Sequence, residues 1–212
     1  MMDNQKNPAP SQRARAQAVV AQQQRRAKRT KALTIGIAAA AVLAIAVPTA
    51  VVIGNQAAER DALAAAAARP IDGVQTFEIA SSNHTEAPVS YPQSPGVGGD
   101  HFPGWANCGV YDQEVVETHA VHSLEHGAVW ISYNEDASAE DVAALKELVG
   151  ERTYLLLSPF AAQEEPIKLS AWGSQLAVDS PTDPRVETFI QKYRQGPQTP
   201  EPGAACTGGI DG

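Results

Sequence analysis

Two kinds of hydrophobic pattern run along this chain. Residues 32–54 (ALTIGIAAAAVLAIAVPTAVVIG) carry no charge, whereas beyond residue 70 the apolar positions break into short periodic segments divided by polar turns. As a helix rising about 1.5 Å per residue, the first segment would extend about 34 Å, against roughly 30 Å of bilayer hydrocarbon. It is expected to be a transmembrane helix, with Pro48 as a tolerated kink. Farther on, residues 74–80 (VQTFEIA) alternate like a strand, and residues 128–133 (AVWISY) and 153–159 (TYLLLSP) read as strands. Two more short strands, 167–172 and 175–178, flank Gly173 as a hairpin or a bent strand. Residues 138–150 (SAEDVAALKELVG) predict an amphipathic helix, capped by Ser138 with Asp141 three positions on and ended by Gly150. A last helix starts after Thr182 or Asp183, has Pro184 in its first turn, and puts Val186, Phe189, Ile190 and Tyr193 on one face. The predicted fold class is α+β: a small mixed-sheet sandwich with two helices, preceded by one transmembrane helix.

Charge sharpens this division. The formal charge is -8 overall, but residues 1–31 carry +7 and residues 55–212 carry -15. Arg25, Arg26, Lys28, Arg29 and Lys31 directly precede the apolar segment, so the positive-inside rule keeps the N-terminus cytoplasmic. The apolar run is longer than that of a cleaved signal peptide and follows a long leader, which favours an uncleaved anchor. Four regions are expected: a basic cytoplasmic tail (1–31), a transmembrane helix (32–54), a stalk (55–70) rich in alanine and stopped by Pro70, and an exported α+β domain (71–212). The expected location is the plasma membrane, single-pass, with the C-terminal domain extracytoplasmic. A charge of -15 on the larger part disfavours nucleic-acid binding.

Residues 87–109 (APVSYPQSPGVGGDHFPGWANCG) are rich in Pro and Gly and have no period, so they form a long irregular loop, a kind more often functional than merely connective. Cys108 lies in this loop and Cys206 in the C-terminal tail. An exported domain sits where disulfides persist, and a Cys108–Cys206 bridge would contribute about 4 to 5 kcal/mol in the chain-entropy model. The competing reading makes Cys108 a thiolate metal ligand. Trp105, Trp130 and Trp172 are expected in the core.

All five histidines, His84, His101, His119, His122 and His126, fall within 43 consecutive residues. His122 and His126 stand in HSLEH, the i, i+4 spacing that lets two imidazoles on one helical turn reach one metal ion. The expected metal ligands are His101, His122 and His126, with His84 as the fourth, and Glu125 is expected behind them, orienting a ring by a hydrogen bond. Imidazoles suit copper(II) or zinc. Met1 and Met2 are the only methionines, so residues 55–212 offer no thioether for a copper(I) site. A metal-binding accessory protein is therefore expected rather than an enzyme. Two alternatives stand beside it. One is an interaction module of an envelope or respiratory assembly, with structural histidines and an acidic surface facing a basic partner. The other is a metal-dependent hydrolase, since HSLEH fits H-x-x-E-H with Glu125 as the base. G-x-S-x-G, the Walker loop and C-x-x-C are all missing, which leaves acyl transfer, phosphoryl transfer and thioredoxin-type exchange without support.

Several separated stretches, YPQSPGVGGDHFPGWANCGVYD, AVHSLEHGAVWISY, LLLSPF, SAWG and PEPGAACTGG, resemble in their order an uncharacterised family of membrane-anchored exported proteins frequent in actinobacteria, marked by VHSLEHGAV. The resemblance covers roughly residues 74–209 and implies no established activity. It places His101, Cys108, Gly109, Tyr111, His122, Glu125, His126, Gly127 and Cys206 on the family's pattern. Pro95 after Ser94, in place of a Pro-Pro pair, and His119 depart from it, which makes His119 the least secure ligand candidate.

Overall fold

The computed structural model describes residues 68–150 and 152–211, together with Arg25, Arg26, Lys28, Ala62 and Ala65. The chain divides into two units, Met1–Ala58 and Glu59–Gly212, and the fold below is that of the second. The expected transmembrane helix lies outside the described residues, as does most of the basic tail and of the stalk. Among the described residues no helix is long and apolar enough to cross a membrane.

Six strands form one mixed sheet: β1 (Gln75–Thr76), β2 (Gly109–Val110), β3 (Val129–Tyr133), β4 (Leu155–Pro159), β5 (Ile167–Ala171) and β6 (Ser174–Val178), in the order β1-β6-β5-β3-β4-β2. β4 runs parallel to both β3 and β2, whereas β3–β5, β5–β6 and β6–β1 are antiparallel. Three helices, α1 (Glu117–Glu125), α2 (Ala139–Val149) and α3 (Pro184–Tyr193), complete the α+β fold.

Alternation along the strands sorts their side chains into two layers. Val129, Ile131, Leu155, Leu157, Ile167, Leu169 and Leu176 face one core, closed by Leu145 and Val149 of α2 and by Val186, Phe189 and Ile190 of α3. Trp130 and Leu156 face the other way, onto Ala120, Val121 and Leu124 of α1 and onto Ala106, Val115, Phe160 and Trp172. Trp130 and Trp172 are thus core as expected, whereas Trp105 is half-buried and belongs to neither core; the indole of Trp130 donates to Ser158 Oγ at 2.9 Å. Both amphipathic helices start as predicted. Ser138 Oγ accepts from the Asp141 amide at 3.1 Å, and Asp183 Oδ1 accepts from the Arg185 amide at 2.8 Å.

The long Pro/Gly loop is tied to the second face of the sheet by polar side chains of the last two strands. Lys168 Nζ donates to the Ser94 carbonyl at 2.8 Å, and Gln175 Nε2 donates to the Pro95 carbonyl at 3.0 Å. The Gly173 amide adds a bond to the Val97 carbonyl at 2.8 Å. A side chain at Gly96 would run into the Tyr91 ring, so this stretch of loop needs glycine to lie flat.

Two expectations are corrected. The strand expected over 74–80 pairs only at Gln75–Thr76, because its partner β6 begins at Ser174. The Phe77 amide is left to bond the turn carbonyl of Gly173, at 2.9 Å. The two predicted helices become three, since residues around HSLEH form a nine-residue helix, α1. It buries Ala120, Val121, His122, Ser123, Leu124 and Glu125 in succession, so it has no polar face for a periodicity to reveal.

Candidate metal centre

α1 is the platform of the site. Its last turn carries His122 and Glu125 three residues apart, hence on one face, and both are nearly inaccessible at 2 % and 3 % exposure. The helix ends at Glu125, with His126 as its C-cap, and Gly127 at φ +94° turns the chain into β3. A Cβ at Gly127 would collide with the side chains of Gln195 and Thr199.

The loop brings the remaining groups. His101 and His84 lie side by side in an isolated parallel bridge: the Thr85 amide donates to the His101 carbonyl at 2.8 Å and the His101 amide to the Asn83 carbonyl at 3.0 Å. Asp100 Oδ1 closes this clip by accepting from the Asn83 amide at 2.9 Å and from its side-chain amide at 3.1 Å. These donors, the backbone amide first, hold the Asp100 carboxyl below the usual carboxylate range.

His84, His101, His122 and Glu125 converge, each offering one ligating atom, and all four atoms lie within 4.8 Å of one another. Glu125 Oε2 is 3.0 Å from His101 Nε2 and 3.5 Å from His84 Nε2. Ligands of a tetrahedral ion at Zn–N distances of about 2.0–2.1 Å stand about 3.3 Å apart, so two of these spacings already match such a shell.

Ring orientation points the same way. His101 Nδ1 lies 2.7 Å from the Gly99 carbonyl and His122 Nδ1 lies 2.8 Å from the Phe102 carbonyl. A carbonyl only accepts, so both Nδ1 atoms carry the proton, and in the neutral ring the Nε2 lone pair is left free for a metal. Burial, reinforced by His126, His101 and His84, pushes the His122 imidazole down to about 4 against the opposing Phe102 carbonyl, so it is neutral at pH 7. In His101 both nitrogens face oxygen acceptors inside a fully buried pocket. The space between its Nε2 and Glu125 therefore calls for a cation, either a second proton or a metal ion.

His126, expected among the ligands, stands outside this group of four. As the C-cap it turns to the C-terminal tail: its Nδ1 donates to the Ala205 carbonyl at 2.7 Å and its Nε2 is 3.6 Å from Glu201 Oε2. Glu125, expected behind the ligands, is instead one of the four. The i, i+3 spacing of His122 and Glu125 carried that signal in the sequence. The roles of the Gly99 and Phe102 carbonyls and of the Asn83–Asp100 clip had no local signal. His119 packs its ring on Phe102, 4.8 Å between centroids, and takes no part in the group. Cys108 and Cys206 are paired, with Cα atoms 5.3 Å apart, and neither is free to ligate a metal.

The fold and site thus define an α+β domain with a buried His/Glu cluster seated on a short helix. The family model described as "Protein of unknown function (DUF3105)" matches residues 83–208, and the chain belongs to that family. The matched region begins one residue before His84 and ends two after Cys206, so it contains all four clustered residues and both cysteines. No curated protein and no solved structure matches the chain.

Proposed function

We propose that this protein is a membrane-anchored, extracytoplasmic metal-binding accessory protein that holds copper(II) or zinc through His84, His101, His122 and Glu125. The observation that carries the reading is the convergence of those four groups, with the Nδ1 atoms of His101 and His122 bonded to backbone carbonyls. Three imidazoles and one carboxylate form a borderline donor set suited to either ion. The uncharged segment 32–54 and the five Lys/Arg residues just before it support the anchor and the export of the domain. The hydrolase alternative has less support, because Glu125, the base it requires, itself stands at ligand distance.

A second reading, the interaction module with structural histidines, draws on His126, whose ring ties α1 to the tail with no metal required. Native mass spectrometry of the full-length chain, purified in detergent, stripped with chelator and titrated with copper(II) or zinc, separates the two. One ion per chain, lost when His101 and His122 are both changed to Ala, is the result expected for a metal protein. No ion at micromolar metal contradicts it and leaves the structural role.

A further inference from the structure

Resting on the metal-binding reading, we propose that the ion enters and leaves on the His84 side, with His84 as the exchangeable ligand of a site built for metal transfer. The four groups are not equally held. His101 is fully buried, its Nδ1 fixed by the Gly99 carbonyl and its ring edge-on to Trp172 with centroids 6.0 Å apart. His122 is fixed by the Phe102 carbonyl and packed against Trp105, 5.7 Å between centroids. Glu125 is held by the last turn of α1, and its carbonyl accepts from the Glu201 amide at 3.1 Å. The His84 side chain alone among the four is open to solvent, 44 % exposed against 4 % for Glu125 and 0 % for His101.

Nothing among the described residues hydrogen-bonds the outer nitrogen of the His84 ring. Besides its Nε2 approach to Glu125 at 3.5 Å, the ring is held by stacking on His122 at 27° and 4.7 Å and by an edge contact with His101 at 5.0 Å, with no hydrogen bond from its outer side to hold it in place. Its backbone, however, is anchored by the His101 bridge and the Asn83–Asp100 clip, so the ring swings from a fixed point and returns to the same place. Three buried groups with one exposed ligand leave a single coordination position through which a donor or acceptor can approach.

The step is ligand substitution with no change in oxidation state. An incoming ligand forms a bond to the ion as the bond to His84 Nε2 breaks, the nitrogen keeps its lone pair, and the imidazole returns neutral to solvent. The incoming group is an imidazole, carboxylate or thiolate of a partner, or a small chelator.

The test compares the full-length wild type with His84→Ala, His84→Asn and His122→Ala, each loaded with zinc or copper(II). Stoichiometry is read by native mass spectrometry, and release to a chromogenic chelator by stopped flow. Both His84 variants are expected to keep one ion per chain at saturating metal and to release it about tenfold faster or more, whereas His122→Ala loses the ion. Added imidazole is expected to slow release from His84→Ala, because it fills the open position, and to leave His122→Ala without metal. Wild-type release rates in both His84 variants overturn the exchange role while the metal site stands, and so does complete loss of metal from both with unchanged circular dichroism. A wild type that binds no ion overturns the metal-binding reading itself.

Discussion

The C-terminal tail has no apolar period of its own, yet it lies against the site, and the Cys108–Cys206 disulfide adds to stability by restricting the unfolded chain. Cys108 and Cys206 are 98 positions apart, so replacing both with Ser frees a loop whose closure is worth about 4 to 5 kcal/mol in the chain-entropy model. Against a total stability of about 5 to 15 kcal/mol for an ordinary domain, that is about a quarter or more. The native tail should nonetheless stay docked, because it makes its own bonds. The Cys108 amide donates to the Cys206 carbonyl at 2.7 Å, the Ile210 amide to the Trp105 carbonyl at 2.8 Å, and the Glu201 amide to the Glu125 carbonyl at 3.1 Å. Tyr154 and His126 add side-chain bonds to the Ala204 and Ala205 carbonyls, at 2.8 and 2.7 Å. Urea melts of the full-length chain in detergent should therefore show the double Ser variant less stable by about 4 to 5 kcal/mol. In native buffer, hydrogen exchange at the Glu201 and Ile210 amides should remain slow. A loss below about 1 kcal/mol would refute the loop argument. Rapid exchange at both amides would show that the covalent link, and not the hydrogen bonds, docks the tail.

Three further outcomes are expected. In the metal-free protein, burial holds His122 near 4, while the unfolded chain titrates at about 6.5. The unfolded state then binds the extra proton between those values, so stability should fall by about 3 kcal/mol as pH drops from 6.5 to 4, and urea melts of His122→Gln should lack that slope. Gly127→Ala puts a side chain at φ +94° against Gln195 and Thr199, and should lower stability by about 2 kcal/mol or more, read as a drop in thermal midpoint. Phe189→Ala opens a cavity in the α2/α3 core on the far side of the sheet, and should cost about 3 to 5 kcal/mol in urea melts while leaving metal stoichiometry at native pH unchanged.

Much of the sheet and two helices could be read from the sequence because their side chains alternate between a core and something else. α2 and α3 each carry an apolar stripe and a side-chain cap, and β3 through β6 are short apolar segments between polar turns. α1 escaped because both of its sides are covered, one by the sheet and the other by the loop and tail, so periodicity had nothing to contrast. The parallel pairing of β3 with β4 and the antiparallel pairing of β3 with β5 depend on contacts between residues far apart, which no local pattern encodes. At the site, the crowding of histidines marked His84, His101 and His122. The choice between Glu125 and His126 turned on where the helix ends and on the tail carbonyl of Ala205, over 70 residues downstream.

X-ray absorption at the metal edge of the zinc-loaded, full-length chain tests the central claim most directly. A first shell of three nitrogens and one oxygen at about 2.0–2.2 Å is expected, with the outer scattering of three imidazole rings, falling to two rings in His84→Ala, which keeps its ion. A shell containing sulfur, or one with fewer than two imidazoles in the wild type, would contradict it.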